Sequence, residues 1–124
     1  MLKCITLHLA RDNDFPDGSS ERGYAITAPL DEVGHLDATA WKKLKNRCEV
    51  RRFWRGEEDR VGRLVHQPGG KDGATWKIHY RDADESDETG YRLGAHRFLV
   101  NEYVSIHDEN GRSHTFKIAN IRPA

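Results

Sequence analysis

The sequence predicts a mainly β fold, a small antiparallel and strongly bent β-barrel or sandwich with one short α-helix packed on it. Short segments that alternate apolar and polar residues recur along the chain, and clusters of Gly, Pro, Asp and Asn separate them. About eight short strands with regular turn signals are typical of small barrels and sandwiches. No repeat or linker divides the chain, so residues 1–124 are predicted to form a single domain.

The first two strands are predicted at residues 3–10 and 24–30, on either side of a loop rich in Asp, Gly, Ser and Pro. The first strand alternates between apolar and polar residues, which is typical of a half-buried strand. The residues expected on its buried face are Ile5, Leu7 and Leu9.

The helix is predicted over residues 36–46. Asp37 is a favourable N-cap, and Leu36 before it can pack against Trp41 in the first turns. A helix of about ten residues is marginally stable alone, so it must pack on the sheet. We therefore expect Trp41 to anchor the helix in the core and the helix to cap one open end of the barrel.

The middle of the chain alternates between strand patterns and turn signals. The strands are predicted at 48–54, 61–66, 74–80 and 91–93, with a turn at 67–73 and an acidic loop at 81–89. The Gly-rich turn at 67–73 lacks the spacing of a phosphate-binding loop and leads into a strand, so no phosphate site is predicted there.

The last two strands flank Asn110-Gly111, the strongest short-range signal for a hairpin. A two-residue turn would place His107 opposite His114 as a metal pair, but neither face of the hairpin would then be apolar. A three-residue loop with Gly111 in the left-handed conformation places the apolar residues on one face and the polar residues on the other. A change of register by one residue would move each side chain to the opposite face, so the register that separates apolar from polar residues is favoured. We therefore predict the three-residue loop. It places Val104 opposite Phe116 and Ile106 opposite His114.

The nine residues from Phe98 to Ile106 resemble the strand of ferredoxin-reductase-type flavin barrels that reads F-x-P-G-Q-Y-V-x-I. Here Val100-Asn101-Glu102 stands in place of Pro-Gly-Gln. The resemblance implies that a turn delivers the chain into a barrel strand at Tyr103. The upstream flavin motif R-x-Y-[ST] is missing, so no flavin-binding residue is transferred and no cofactor is predicted.

Residues that could carry catalysis or bind metal are scattered. The seven histidines show no metal-ligand spacing, and no serine lies in a GxSxG motif. Cys4 and Cys48 are far apart and are predicted to be reduced thiols in a cytoplasmic protein. No apolar run could cross a membrane. No metal site is predicted, and the enzyme hypothesis is a site at the barrel mouth that uses His79, His107 or a loop carboxylate.

Charge is distributed unevenly although the formal net charge is zero. Residues 42–63 contain nine basic residues against four acidic ones, and the segment 81–88 is acidic. Guanidinium groups beside exposed aromatic rings suit single-stranded nucleic acid, because arginines contact phosphates while bases stack on rings. The alternative is that the arginines pair with the acidic loop. The candidate contact residues are Arg51, Arg52, Phe53, Trp54 and Arg55.

These observations predict a non-enzymatic binding or adaptor module rather than an enzyme. Its partner is predicted to be single-stranded nucleic acid or a protein that contacts the basic-aromatic strand at 51–55. Because the net charge is zero, the protein as a whole has no general attraction for an anionic membrane or for nucleic acid. Any binding of nucleic acid must therefore depend on the local charge of the strand at 51–55.

Overall fold

The computed structural model describes residues 1–67, 76–81, 88–91, 93–107 and 112–124. These residues form eight strands, one α-helix and short 3₁₀ segments. The strands are β1 (Leu2–Leu9), β2 (Ser19–Pro29), β3 (Glu49–Trp54), β4 (Arg60–His66), β5 (Trp76–Tyr80), β6 (Glu88–Tyr91), β7 (Tyr103–His107) and β8 (Ser113–Pro123), and the helix is α1 (Ala38–Leu44).

The strands curl into a closed antiparallel barrel. Each strand pairs with the next along the chain, and β8 pairs with β1 to complete the ring. The predicted mainly β fold with one short helix is confirmed. The seams differ in length: β1 pairs with β2 over its whole length, whereas β5 and β6 share the two residue pairs Lys77–Thr89 and Ile78–Glu88. Among the described residues, the β5–β6 seam has the fewest residue pairs in the ring.

The interior of the barrel is filled by the apolar side chains of alternate strand positions. Ile5, Leu7 and Leu9 are buried, so the prediction for β1 is confirmed. Because opposite residues of an antiparallel pair share a face, the inward residues of one strand meet those of its neighbours. The largest fully buried apolar residues elsewhere include Leu64, Ile78, Val104, Phe116 and Ile118.

Helix α1 has the predicted N-cap, although it covers Ala38–Leu44 rather than the predicted 36–46 and continues as a 3₁₀ turn at Lys45–Arg47. The Asp37 carboxylate accepts a hydrogen bond of 3.0 Å from the Ala40 amide and caps the helix. Trp41 is partly buried against the core, its indole N–H donates to the Leu64 carbonyl at 2.9 Å, and its ring meets Trp76 edge to face at 6.1 Å. The predicted packing of the helix on the sheet is confirmed.

The final hairpin adopts the predicted register, with Val104 opposite Phe116 and Ile106 opposite His114. His107 lies opposite Ser113, so the metal pair of the alternative register does not form. The predicted conformation of Gly111 falls outside the described residues. Before β7, Asn101 has a φ of 77°, and the chain turns there into the strand, as the flavin-barrel resemblance implies.

Two strand predictions are wrong in their limits. Strand β2 begins at Ser19 rather than at residue 24, and β6 covers Glu88–Tyr91 rather than 91–93. Leu93–Ala95 forms a 3₁₀ turn instead. Pairing with both neighbours decides where β6 lies, and this tertiary effect overrides local composition. Residues 68–73 of the predicted turn and residues 82–87 of the predicted acidic loop fall outside the described residues.

The two ends of the barrel have different structures. At the helix end, formed by residues 30–48 and 93–102, α1 and two ordered loops cover the strand ends. At the loop end, formed by residues 10–18 and 55–59, turns connect the strands. The Asp12 carboxylate accepts the amides of Asp14 and Phe15 and thereby holds the first of these turns.

Replacing Trp41 with alanine tests the packing of the helix. We expect the free energy of unfolding in urea to fall by about 3 kcal/mol, because a half-buried ring and a hydrogen bond are both lost. The matched control is Lys42→Ala, which removes an exposed side chain of the same helix. A loss below about 1 kcal/mol for Trp41→Ala would show that the helix does not depend on this ring.

Candidate functional site

The predicted contact residues lie on two faces of β3. Val50 is buried, so alternation turns Arg52 and Trp54 toward the barrel interior and Arg51 and Phe53 outward. Arg55 follows in the exposed turn. The five residues 51–55 therefore do not form one surface. Only Arg51, Phe53 and Arg55 are on the outside of the barrel.

The outward side chain of Phe53 is the first member of a row that crosses five strands. Phe53 lies opposite Gly23, Gly23 opposite His8, His8 opposite Lys117, and Lys117 opposite Tyr103. These pairs are directly cross-strand, so all five residues share the outer face. We call this set the outer row. Its four strand spacings of roughly 4.8 Å span roughly 19 Å.

The outer row combines the rings of Phe53, His8 and Tyr103 with the charge of Lys117, and Arg51 lies beside it. The Arg51 guanidinium lies 5.4 Å from the centre of the Phe53 ring, and the His8 ring meets Phe53 edge to face at 6.3 Å. Tyr103, at the other end of the row, is 52% exposed. A groove of about 590 Å³ lies along the His8–Tyr103 half, with Lys117 and residues 17–20 in its walls.

The outward arginines make exposed ion pairs. Arg51 contacts Asp59 at 2.8 Å, and Arg55 contacts Glu21 at 3.1 Å. Their partners come from neighbouring turns and strands, while the acidic segment 82–87 falls outside the described residues. Exposed pairs of this kind each contribute about 0–1 kcal/mol, so a phosphate can replace the carboxylate at little cost.

The interior of the barrel holds a buried carboxylate, which belongs to β6. Glu88 is the one charged residue that is buried among those the structure describes, with 7% exposure. Its Oε1 accepts a hydrogen bond of 2.8 Å from the Tyr24 hydroxyl and a second, short one from the Tyr80 hydroxyl. Burial raises the pKa of both tyrosines, and the adjacent Glu88 carboxylate raises it further. Both hydroxyls therefore stay protonated and act as donors.

Two arginines complete this inner cluster, which consists of Tyr24, Arg52, Arg60, Tyr80 and Glu88. The Arg60 guanidinium lies 3.7 Å from the centre of the Tyr80 ring. Arg52 stands opposite both Tyr24 and Arg60 in the sheet and also contacts Glu57 at 3.3 Å. The cluster surrounds the Glu88 carboxyl group with two hydroxyl donors and two guanidinium groups, which satisfies a polar group that is buried.

Trp54 packs between the inner cluster and the loop end. The Arg52 guanidinium lies 4.5 Å from its ring centre, and Phe15 meets the ring edge to face at 6.3 Å. The His114 ring is 5.9 Å away. Arg52 and Trp54 thus support the loop end from inside, and neither is placed to contact a partner through the outer face of β3.

The histidines do not assemble into a site. His79 and His107 alternate with buried residues of β5 and β7, so both face outward and away from the barrel mouth. Within the described part of the chain, no three His, Cys, Asp or Glu residues are grouped closely enough to hold a metal. Cys4 and Cys48 are free thiols, as predicted. No helix of the described residues is long and apolar enough to cross a bilayer.

Sequence reasoning missed most members of both sets. His8 is correctly assigned to the polar face of its strand, but its position beside Phe53 and Lys117 depends on cross-strand register. Glu88 was assigned to a solvated loop, and the structure places it in a strand instead. The sequence contains part of a strand signal at Glu88, because the β-branched Thr89 follows it and Gly90 comes next.

Comparison with known proteins gives no relative. No protein family, no curated protein and no solved structure matches the chain. The functional argument therefore depends on the geometry of the chain itself.

Replacing Glu88 with alanine tests the inner cluster. Two buried hydroxyls would lose their acceptor, and we expect the free energy of unfolding in urea to fall by about 3 kcal/mol. The control is Glu57→Ala, which removes an exposed partner of Arg52 and should cost less than about 1 kcal/mol. Equal losses for the two variants would contradict a special role for the buried carboxylate.

The raised tyrosine pKa values predict a dependence of stability on alkaline pH. Above the ordinary tyrosine pKa of about 10, the unfolded chain releases protons that Tyr24 and Tyr80 retain in the folded state. The free energy of unfolding should therefore be unaffected by these groups below pH about 10 and fall as pH rises above it. In Tyr24→Phe this alkaline slope should be shallower, and an unchanged slope would contradict the argument.

Proposed function

We propose that this protein is a non-enzymatic module that binds single-stranded nucleic acid across its outer row. The observation that carries the proposal is the direct cross-strand alignment of Phe53, His8, Lys117 and Tyr103 on one outward face. Aromatic and cationic side chains on the strands of a small barrel are a recurring arrangement for this ligand.

Three members of the row, and Arg51 beside it, supply the groups for this binding. The rings of Phe53 and Tyr103 offer faces on which unpaired bases stack, and stacking is tolerant of base identity. Lys117 lies between His8 and Tyr103 in the row and supplies a positive charge for the phosphate backbone. Arg51 stands beside Phe53, so a base on that ring and its phosphate can be contacted together.

Single strands fit this surface better than duplexes. Bases must be unpaired to stack on protein rings, and the row runs over a curved sheet without a projecting helix for a major groove. Because the formal net charge of the chain is zero, attraction depends on the local cations Arg51, Arg55 and Lys117. We therefore expect binding of modest affinity that weakens steeply with salt.

The proposal changes the set of contact residues. Arg51, Phe53 and Arg55 remain contacts, His8, Lys117 and Tyr103 join them, and the inward residues Arg52 and Trp54 have a supporting role. The two free thiols are consistent with a reducing compartment, and we place the module in the cytoplasm as part of this proposal.

Loss of the Phe53 ring tests the proposal. Fluorescence anisotropy with a labelled eight-nucleotide single-stranded RNA, its DNA equivalent and a matched duplex measures the affinity. We expect Phe53→Ala to weaken single-strand binding about tenfold, because one stacked base contributes about 1–3 kcal/mol. The control is Val65→Ala on the outer face of β4, which should bind as the unchanged protein does.

Salt dependence separates a charge effect from a packing effect. Arg51→Gln should reduce the slope of log affinity against log salt concentration by about one, because one phosphate contact is lost. Arg63→Gln on β4 should leave this slope unchanged. Both are exposed arginines with polar partners, so the pair is matched. Absence of single-strand binding at low salt, or tighter binding of the duplex, would contradict the proposal and favour a protein partner.

A further inference from the structure

The groove along the Tyr103 half of the outer row lies at an irregularity of the sheet. His8 of β1 pairs with Gly23 of β2, whereas the next residue, Leu9, pairs with Ser19. Residues 20–22 between these two partners therefore protrude from the pairing as a bulge. Bulges redirect side chains and are common beside functional sites.

Gly18 allows the turn before β2 to approach β1 closely. Its φ is 71°, and a Cβ atom at this position would lie 2.6 Å from the Leu9 carbonyl oxygen. Its amide donates to the Phe15 carbonyl at 2.9 Å. Both the positive φ and the close approach require glycine, so the backbone defines this wall of the groove.

Two cations without a partner line the groove. Arg11 and Lys117 are exposed, and neither makes an ion pair or a side-chain hydrogen bond with the residues that the structure describes. Asp17 is the one acidic residue of the lining among those described. Two cations against one carboxylate leave the groove with an excess of positive charge.

The neighbouring carboxylates of the loop end do not remove this excess. Asp12 lies 3.6 Å from the Nδ1 atom of His114, and Glu21 forms its ion pair with Arg55 at 3.1 Å. Neither of these carboxylates lines the groove. An anion in the groove is therefore opposed by Asp17 and attracted by two cations.

Hydroxyl groups complete the polar lining. The Ser19 Oγ accepts hydrogen bonds from the Glu21 amide at 3.2 Å and from the Arg22 Nη1 at 3.1 Å, so its own proton can be donated to a ligand. Ser20 and Thr115 add two more hydroxyls. Arginine, lysine and hydroxyl donors are the groups that bind phosphate oxygens.

The outer row ends at this groove. The pairing of β6 with β7 stops at Tyr91 and Ser105, so no described residue of β6 lies opposite Tyr103. Tyr103 is 52% exposed and lines the groove. A nucleotide whose base stacks on Tyr103 can place its phosphate in the groove, and the described row offers no further ring beyond it.

We propose, on the basis of the function proposed above, that the groove binds a phosphomonoester on the nucleoside that stacks on Tyr103. The phosphomonoester belongs to the end of a strand bound across the outer row or to a free mononucleotide. It carries a charge of about −1.5 to −2 at pH 7 and offers three acceptor oxygens. This charge matches the two unpaired cations better than the single charge of an internal phosphodiester does.

Competition between strand ends tests this inference. Unlabelled eight-nucleotide RNAs of one sequence carry a 5′-phosphate, a 3′-phosphate or hydroxyl groups at both ends, and they compete with a labelled RNA in fluorescence anisotropy at fixed ionic strength. We expect one of the phosphorylated strands to bind about tenfold more tightly than the hydroxyl-ended strand. Binding of the hydroxyl-ended strand itself tests the outer row separately.

Mononucleotides give a second arm that does not need strand binding. In backbone-amide NMR titrations, adenosine monophosphate should cause saturable shifts at Gly18, Ser20 and Thr115, and adenosine at the same concentration should cause smaller ones. This preference without any strand binding would assign the groove to free nucleotides and contradict the function proposed for the outer row. No advantage of the phosphate in either assay would overturn the groove proposal.

Removal of the Arg11 charge tests whether the advantage arises in the groove. Arg11→Gln should reduce the advantage of the phosphorylated strand about fivefold. It should leave the affinity of the hydroxyl-ended strand unchanged, because Arg11 lies outside the outer row. The matched control Arg63→Gln removes an exposed arginine of β4 and should retain the full advantage. An advantage that is undiminished in Arg11→Gln would also overturn the proposal.

Discussion

The buried carboxylate of Glu88 connects three strands of the barrel through its hydrogen bonds. Glu88 lies in β6, and the hydroxyls that bind it come from β2 and β5. A buried carboxyl group is costly unless donors surround it, so the two tyrosine hydroxyls and the Glu88 carboxyl group stabilise one another in the interior. Arg52 and Arg60 add positive charge from β3 and β4. The inner cluster therefore takes its five residues from five different strands.

Strand alternation then determines what the outside of the barrel can do. Once Arg52, Trp54 and Tyr24 face inward, their neighbours Arg51, Phe53 and Gly23 must face outward. The same rule turns His8, Lys117 and Tyr103 outward on the following strands and aligns them with Phe53. The stability of the inner cluster and the binding surface that we propose are consequently two faces of one sheet. A residue substituted on one face should leave the chemistry of the other face intact.

The sequence allowed the elements to be predicted better than the sites. Local signals were sufficient for β1, for the Asp37 cap of the helix and for the register of the final hairpin, because each depends on neighbouring residues. The outer row and the inner cluster depend on pairing between strands that are distant in sequence. Composition even indicated the wrong place for Glu88, since an acidic segment resembles a solvated loop until a buried strand pairing is known.

The measurement that most directly tests this division of faces is a backbone-amide NMR titration of the whole protein with a short mixed-sequence single-stranded RNA, at low and at physiological salt. We expect the amide chemical shifts of His8, Phe53, Tyr103 and Lys117 to change, and these changes should become smaller as salt is added. The amide chemical shifts of Tyr24, Tyr80 and Glu88 should stay unchanged. Shifts centred on the inner cluster, or none on the outer row at low salt, would contradict this division of faces.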